Sequence, residues 1–154
     1  MLRIRNYLSA LWRRWRGARA AAARTGADGE RLAEAWLRRE RDFRIVARNW
    51  RSPRDRRDEV DLVARDGAVL VFVEVKTRGA GALVPGYHAV DERKKRVLRR
   101  CARAYLAGLR EKPRTIRLDV VEVALPPAGA KESAAAPVIL HFENIPLFPK
   151  HFRP

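Results

Sequence analysis

The chain has 154 residues, enough for one domain with a hydrophobic core. Lysine and arginine number 34 against 18 acidic residues, so the formal net charge is +16 and the sequence pI is about 11.4. This excess favours nucleic acid as partner, with an anionic membrane surface second, over a merely soluble basic surface. The single cysteine excludes an intrachain disulfide and a cysteine-based zinc site. No apolar run is long enough to span a membrane, so we expect a cytoplasmic protein.

The first 25 residues are predicted to form a basic extension. They contain seven arginines and no acid, and Leu8, Leu11, Trp12 and Trp15 recur at helical spacing. Three interpretations remain open: an arm that binds polyphosphate, a helix that lies on a membrane surface, and a helix docked on its own domain.

A helix and a strand are expected next. The helix runs to about Arg41, with Thr25 and Asp28 as candidate caps and with Ala33, Trp36 and Leu37 on its buried face. Glu30 lies near its N-terminus, where the helix dipole alone favours a glutamate, although the side chain could also point towards acids of the sheet. A short strand over 43–50 and an arginine-rich loop over 51–57 follow.

Residues 58–76 have the pattern of a β-hairpin. Two apolar, β-branched runs are separated by Asp66-Gly67, a dipeptide typical of a two-residue type I′ turn. With that turn, facing residues have numbers that sum to 133, so Glu59 faces Glu74 and Asp61 faces Phe72. Glu59, Asp61, Glu74 and Lys76 then share one face of the sheet.

Carboxylates at the end of a buried strand indicate a cation site. The run 69–75 is apolar on both faces apart from Glu74, as in a central strand. Asp61 and Glu74 would lie close enough to hold Mg²⁺, and Lys76 could orient or deprotonate a water that attacks a phosphodiester. The alternative is an ordinary ion pair between Glu74 and Lys76, and a register slip of one residue would separate the acids.

The second half of the chain completes a mixed α/β sandwich, with the hairpin central and helices on both faces. We expect a flexible loop over 78–88, a helix from Ala89 to about Arg110 that buries Cys101, a strand over 115–123, a linker over 125–137, a strand over 138–142 and an irregular tail. The basic residues of the helix are either a solvated face or phosphate contacts. The candidate nucleic-acid-binding residues are Arg78, Lys94, Lys95 and Arg99. The three histidines have no metal spacing.

An ordered set of motifs resembles the bacterial YraN-like family. The residues that carry the resemblance are Gly29-Glu30, Ala33, Leu37, Arg48-Asn49, Glu59-Val60-Asp61-Leu62-Val63, Val71-Phe72-Val73-Glu74-Val75-Lys76-Thr77-Arg78, Lys94, Tyr105-Leu106 and Leu118-Asp119-Val120-Val121. The match covers about residues 26–148. The tail over 149–154 and the basic extension lie outside it.

The resemblance implies a fold and a set of roles. The family is related to archaeal Holliday-junction resolvases, which implies an α/β restriction-endonuclease-like core of the PD-(D/E)xK type. It further implies Glu30, Asp61, Glu74 and Lys76 as catalytic residues, with Asp61 and Glu74 as ligands of Mg²⁺ or Mn²⁺. One departure is visible, because Asp58 stands where the family usually has glycine.

The implied function is metal-dependent endonuclease action on DNA, with branched DNA as a candidate substrate and a homodimer by analogy with the resolvases. No small-molecule cofactor is expected. The alternative is a non-catalytic nucleic-acid-binding protein that has kept a nuclease fold. A peripheral membrane role rests on the N-terminal extension alone.

Overall fold

A computed structural model of the chain describes residues 26–79, 90–126 and 136–148. The elements are α1 (26–40), β1 (Arg44–Arg51), β2 (Glu59–Asp66), β3 (Val69–Gly79), α2 (Glu92–Ala107), β4 (Ile116–Leu125) and β5 (Val138–Phe142). The predicted basic extension, residues 80–88 of the predicted loop, most of the predicted linker and the final tail lie outside the described residues. Arg78 and Gly79, which were assigned to that loop, belong to β3. Neither described helix is long and apolar enough to cross a membrane.

The five strands form one mixed sheet in the order β1-β2-β3-β4-β5. The pairs β1–β2, β2–β3 and β4–β5 are antiparallel, whereas β3 and β4 run parallel. The predicted order of helices and strands is therefore confirmed, and β3 is the middle strand. All residues of the run 69–74 except Val69 are buried, as a strand covered on both faces requires.

Each face of the sheet carries its own hydrophobic core. Alternate residues of β2, β3 and β4 point to opposite faces, so one set packs under α1 and the other under α2. The first core contains Ala33 and Leu37 of α1 with Leu62, Ala64, Val71, Val73, Val121 and Val123. The second contains Leu98, Cys101, Ala102 and Leu106 of α2 with Val63, Leu70, Phe72, Leu118 and Val120. The predicted burial of Ala33, Leu37 and Cys101 is confirmed, and Trp36 packs partly buried against the first core.

The predicted register of the hairpin was wrong by two residues. Asp66 pairs with Val69 and Leu62 pairs with Val73, so facing residues have numbers that sum to 135 and the turn is Gly67-Ala68. Gly67 has φ +54°, while Ala68 is not among the described residues with positive φ. A positive φ at only the first central residue is typical of a type II′ turn, in which glycine occupies that first position. The predicted type I′ turn would have placed Gly67 at the second central position. A slip of two leaves the paired residues 62–66 and 69–73 on their predicted faces. Beyond the ladder the alternation breaks, because Val60 packs in the same core as Val63.

The ends of both helices also differ from the prediction. Asp28 lies inside α1 and binds Arg31 instead of capping the helix. Residues 90–91 and 108–110 are not helical, because Asp91 caps α2 by accepting the Lys94 amide at 2.7 Å and Gly108 ends it. Charged residues without clear periodicity made these boundaries difficult to read from sequence.

Candidate functional site

The candidate site lies where β2 separates from β3. The last pair of that ladder is Leu62 with Val73, yet β3 continues along β4 as far as Gly79. Beyond the ladder, Asp61 Oδ2 accepts the backbone N–H of Val75 at 2.7 Å. The carboxylate thus takes the place of a backbone acceptor and is fixed beside Glu74.

Glu74 is the buried centre of the site. Its side chain is 3% exposed and lies between two ammonium groups. Lys76 Nζ donates to Oε1 at 2.9 Å, and Lys94 Nζ of α2 lies 2.9 Å from Oε2. The Lys94 ammonium is the partner of Oε2 through this short ion pair. The structure therefore brings together Asp61, Glu74 and Lys76, as the sequence predicted.

The protonation of Asp61 is strongly perturbed. Burial, together with the negative charge of Glu74, raises the pKa of Asp61 to about 7. The hydrogen bond from the Val75 amide and the charge of Lys94 oppose this rise, and Glu30 adds a smaller repulsion. A carboxyl group that titrates near neutrality beside a second carboxylate is typical of a functional site.

Glu30 is held at the margin of this cluster by α1 and β1. Its carboxylate accepts a hydrogen bond from the side-chain Nδ2 of Asn49 at 2.8 Å. Asn49 itself adopts the left-handed backbone conformation, with φ +44°. One turn along α1, Glu34 forms two hydrogen bonds with Arg48 at 2.5 and 2.6 Å. These contacts anchor the helix on β1, and Glu30 is close enough to influence Asp61.

The preceding glycine allows this close approach. Gly29 is buried, and a Cβ atom there would lie 1.8 Å from Thr77 Oγ1 on β3. No other residue type fits without moving α1 away from the sheet. The Gly29-Glu30 dipeptide therefore combines a packing requirement with a charge near the site.

Glu59 does not face Glu74, in contrast to the predicted register. It pairs with Arg51 of β1, with Oε2 2.8 Å from Nε. Its neighbour Asp58, which departs from the family pattern, is buried and receives two hydrogen bonds of 2.6 Å from Arg100. The Asp58–Arg100 pair ties α2 to the start of β2 and so helps fix Lys94 relative to Asp61.

The predicted nucleic-acid-binding residues divide into three places. Lys94 belongs to the Glu74 cluster, and Arg78 lies against Glu122 of β4, with Nη2 3.9 Å from Oε1. Lys95 and Arg99 line a cavity of about 730 Å³ between α2 and the segment that follows β5. The full lining comprises Glu92, Lys95, Arg96, Arg99, Arg100, Arg103, Pro146, Leu147 and Phe148. Five of these nine residues are basic and one is acidic, so the cavity, here called the basic groove, suits an extended polyanion.

Sequence reasoning assigned no role to two buried carboxylates on β4. Glu122 lies across the ladder from Lys76, and Asp119 accepts hydrogen bonds from Arg117, His141 and the Asn144 amide. An acid inside an apolar strand was the available signal for both. His141 was assigned no role because it has no metal spacing, and it packs instead as a buried partner of Asp119.

The described residues contain no group of three or more His, Cys, Asp or Glu side chains that could hold a metal ion. Asp61 and Glu74 supply two carboxylates. Mg²⁺ typically takes one or two carboxylates and completes its octahedral shell with water or phosphate. The adjacent carboxylates of Asp61 and Glu74 therefore fit that mode of binding.

Comparison with known proteins places these residues in a family. The sequence model of UPF0102, an uncharacterised protein family, matches residues 29–123. A UPF0102 protein of Beutenbergia cavernae is 49% identical over 105 residues, which cover 68% of this chain and 86% of that protein. A UPF0102 protein of Symbiobacterium thermophilum is 49% identical over 107 residues, which cover 69% of this chain and 86% of that protein. A UPF0102 protein of Mycobacterium tuberculosis is 43% identical over 125 residues, which cover 78% of this chain and 90% of that protein. The chain belongs to the UPF0102 family, the YraN-like family that its motifs resemble.

Proposed function

We propose that this protein is a metal-dependent nuclease that hydrolyses phosphodiester bonds in DNA on a restriction-endonuclease-like core. The observation that carries the proposal is the convergence of Asp61 and Glu74 with Lys76 at the end of the middle strand. Two carboxylates with an adjacent ammonium group are suited to in-line attack of water on a phosphodiester. Burying two carboxylates side by side is energetically unfavourable, so their proximity indicates a functional requirement.

The residues have distinct proposed roles. Asp61 and Glu74 would hold Mg²⁺ or Mn²⁺, and the bound cation would supply Lewis-acid stabilisation of the phosphate charge. Lys76 would orient the attacking water or stabilise the developing negative charge. Glu30 would add negative charge at the margin of the site and favour the bound cation.

The basic groove supports nucleic acid as the substrate. The α2 helix that carries Lys94 into the site continues past Lys95, Arg99 and Arg103 along the groove. At 1.5 Å per residue, Lys94 and Arg103 are about 14 Å apart along the helix axis. A strand with one phosphate at Asp61 and Glu74 could therefore place further phosphates along the same helix.

The decisive experiment is cleavage of end-labelled four-way junction, duplex and single-stranded DNA with Mg²⁺, Mn²⁺ or chelator. We expect metal-dependent nicking that falls at least a hundredfold in Asp61→Asn and Lys76→Met. Asp42→Asn is a matched control, because Asp42 is exposed, lies at the other end of α1, and has a positive φ that asparagine tolerates. Cleavage that survives both site variants would contradict the assignment.

The second candidate is a non-catalytic nucleic-acid-binding protein. It is favoured by the two ammonium groups on Glu74, because Lys76 and Lys94 neutralise the carboxylate without a metal. In that case Arg99→Gln should lower the salt dependence of DNA binding by about one counterion, and Asp61→Asn should change nothing. A homodimer stays a prediction that equilibrium sedimentation can test.

A further inference from the structure

Glu122 is a buried carboxylate that makes no hydrogen bond to any residue that the structure describes. Its side chain is 2% exposed, and neither oxygen has a hydrogen-bond partner in the described part of the chain. The nearest cation, Arg78, is 3.9 Å away, and the Nε atom of that arginine is itself buried without an acceptor. Burying a carboxylate in this state costs several kcal/mol, so its presence requires a reason.

The sheet places Glu122 beside Lys76. β3 and β4 run parallel, with Lys76 paired to Glu122 and Glu74 paired to Val120. Paired residues of neighbouring strands share a face, and the strands are about 4.8 Å apart. The Lys76 ammonium thus has two carboxylates within its range: Glu74, two residues earlier on its own strand, and Glu122, on the next strand. In the structure it contacts Glu74.

We propose that Glu122 is a positioning residue that accepts the Lys76 ammonium when a divalent cation occupies Glu74. The inference rests on the proposed function, in which Glu74 is a cation ligand. A divalent cation at Glu74 repels the ammonium that already holds Oε1, and Glu122 offers a buried carboxylate whose oxygens accept no hydrogen bond among the described residues. The transfer keeps Lys76 beside the site and gives Glu122 a closer cation than Arg78 at 3.9 Å.

A double-mutant cycle without metal tests the pairing by itself. Glu74→Gln removes the carboxylate charge that binds Lys76, so Lys76 should move to Glu122. We expect Glu122→Gln to leave the urea midpoint of the otherwise unaltered protein unchanged or higher, and to lower the midpoint in the Glu74→Gln background. A crystal structure of Glu74→Gln should show Lys76 Nζ within about 3.2 Å of Glu122.

The control for this cycle is Glu92→Gln, an exposed glutamate of α2, which should have the same effect in both backgrounds. If Glu122→Gln also has the same effect in both backgrounds, the pairing is refuted.

Calorimetric titration with Mn²⁺ tests the response to a cation. Glu122→Gln should weaken Mn²⁺ binding about tenfold, the usual loss when a supporting residue is removed. The same substitution should have no effect in a Lys76→Met background, since no ammonium group then needs a new partner. A direct ligand, or a residue that only supports the fold, would lower the affinity in both backgrounds.

The outcomes separate the two proposals. If the unaltered protein binds Mn²⁺ and Glu122→Gln weakens that binding equally in both backgrounds, the proposed role of Glu122 is overturned and the proposed nuclease stands. Absence of Mn²⁺ binding overturns the proposed nuclease and the cation-driven transfer together. The metal-free cycle decides the Lys76–Glu122 pairing in either case.

Discussion

Two groups of buried carboxylates lie on opposite faces of the same sheet and differ in how fully they are bonded. Asp119, on the α1 face, is completely buried and accepts hydrogen bonds from Arg117, His141 and the Asn144 amide at 2.9–3.2 Å. On the α2 face, neither oxygen of Glu122 accepts a hydrogen bond from a described residue, and Glu74 has only two half-buried ammonium groups as partners in the same part of the chain. A fully bonded acid is explained by the fold that it holds together, whereas an incompletely bonded one indicates a missing ligand or an alternative partner.

The Asp119 group connects several elements of the fold through hydrogen bonds. Arg117 also reaches Asp66 next to the hairpin turn, and His141 lies edge-on to both Trp36 and Phe43. The Asn144 amide and the neighbouring Ile145 amide fix the chain after β5 to Asp119 and to the Leu118 carbonyl. The network therefore joins β4, β5, the hairpin and the end of α1.

The largest expected difference between the two groups of carboxylates is in how much each contributes to the free energy of unfolding. Asp119→Ala should lower the free energy of unfolding by about 3–5 kcal/mol, because it removes the buried carboxylate that Arg117, His141 and the Asn144 backbone amide share. Glu74→Gln should cost on the order of 1 kcal/mol, because Lys76 and Lys94 are each about 30% exposed and can be solvated. Urea denaturation at pH 7 measures both values. Equal losses would show that the two groups of acids have the same role.

The second prediction concerns Asp61, the neighbour of Glu74, and the pH dependence of the free energy of unfolding. The pKa of Asp61 is about 7 in the folded protein, above its ordinary value of about 3.9. The folded state thus binds an extra proton between these values, and the stabilisation that this group contributes at low pH is lost as pH rises through 7. Relative to the unaltered protein, Asp61→Asn should gain stability from pH 5 to pH 8, by at most about 2.7 kcal/mol, since only the two pH units below the folded pKa contribute and the group is partly exposed.

Urea midpoints of both proteins at pH 5, 6, 7 and 8 measure this gain. Asp42→Asn provides the baseline, and a difference between Asp61→Asn and the unaltered protein that does not vary with pH would contradict the raised pKa.

The smallest expected effect concerns the support of the site by α1. Gly29→Ala places a methyl group 1.8 Å from Thr77 Oγ1 and should cost about 1–3 kcal/mol while displacing Glu30. Gly26→Ala in the same helix has open space around the new atom and should be neutral or slightly stabilising. Thermal denaturation of the two variants gives the comparison, and similar melting temperatures would show that α1 can shift without loss.

Local sequence patterns were sufficient for the elements and for the site face. Apolar alternation identified β2, β3 and β4, and the single acid in the apolar run over 69–75 marked Glu74. Because side chains in a strand alternate with a period of two, the prediction that Asp61, Glu74 and Lys76 share a face survived an error of two residues in the register.

The tertiary structure alone decided which partners those residues have. The parallel pairing of β3 with β4 sets Glu122 beside Lys76, and the packing of α2 brings Lys94 onto Glu74. The same packing separates Lys94 from Lys95, its neighbour in sequence, which lines the basic groove. Such contacts join residues 20 or more positions apart, and no local period encodes them. The sequence by itself determined which residues can carry the chemistry, and the three-dimensional fold decided which of them meet, because pairing between strands and packing of helices depend on the whole chain.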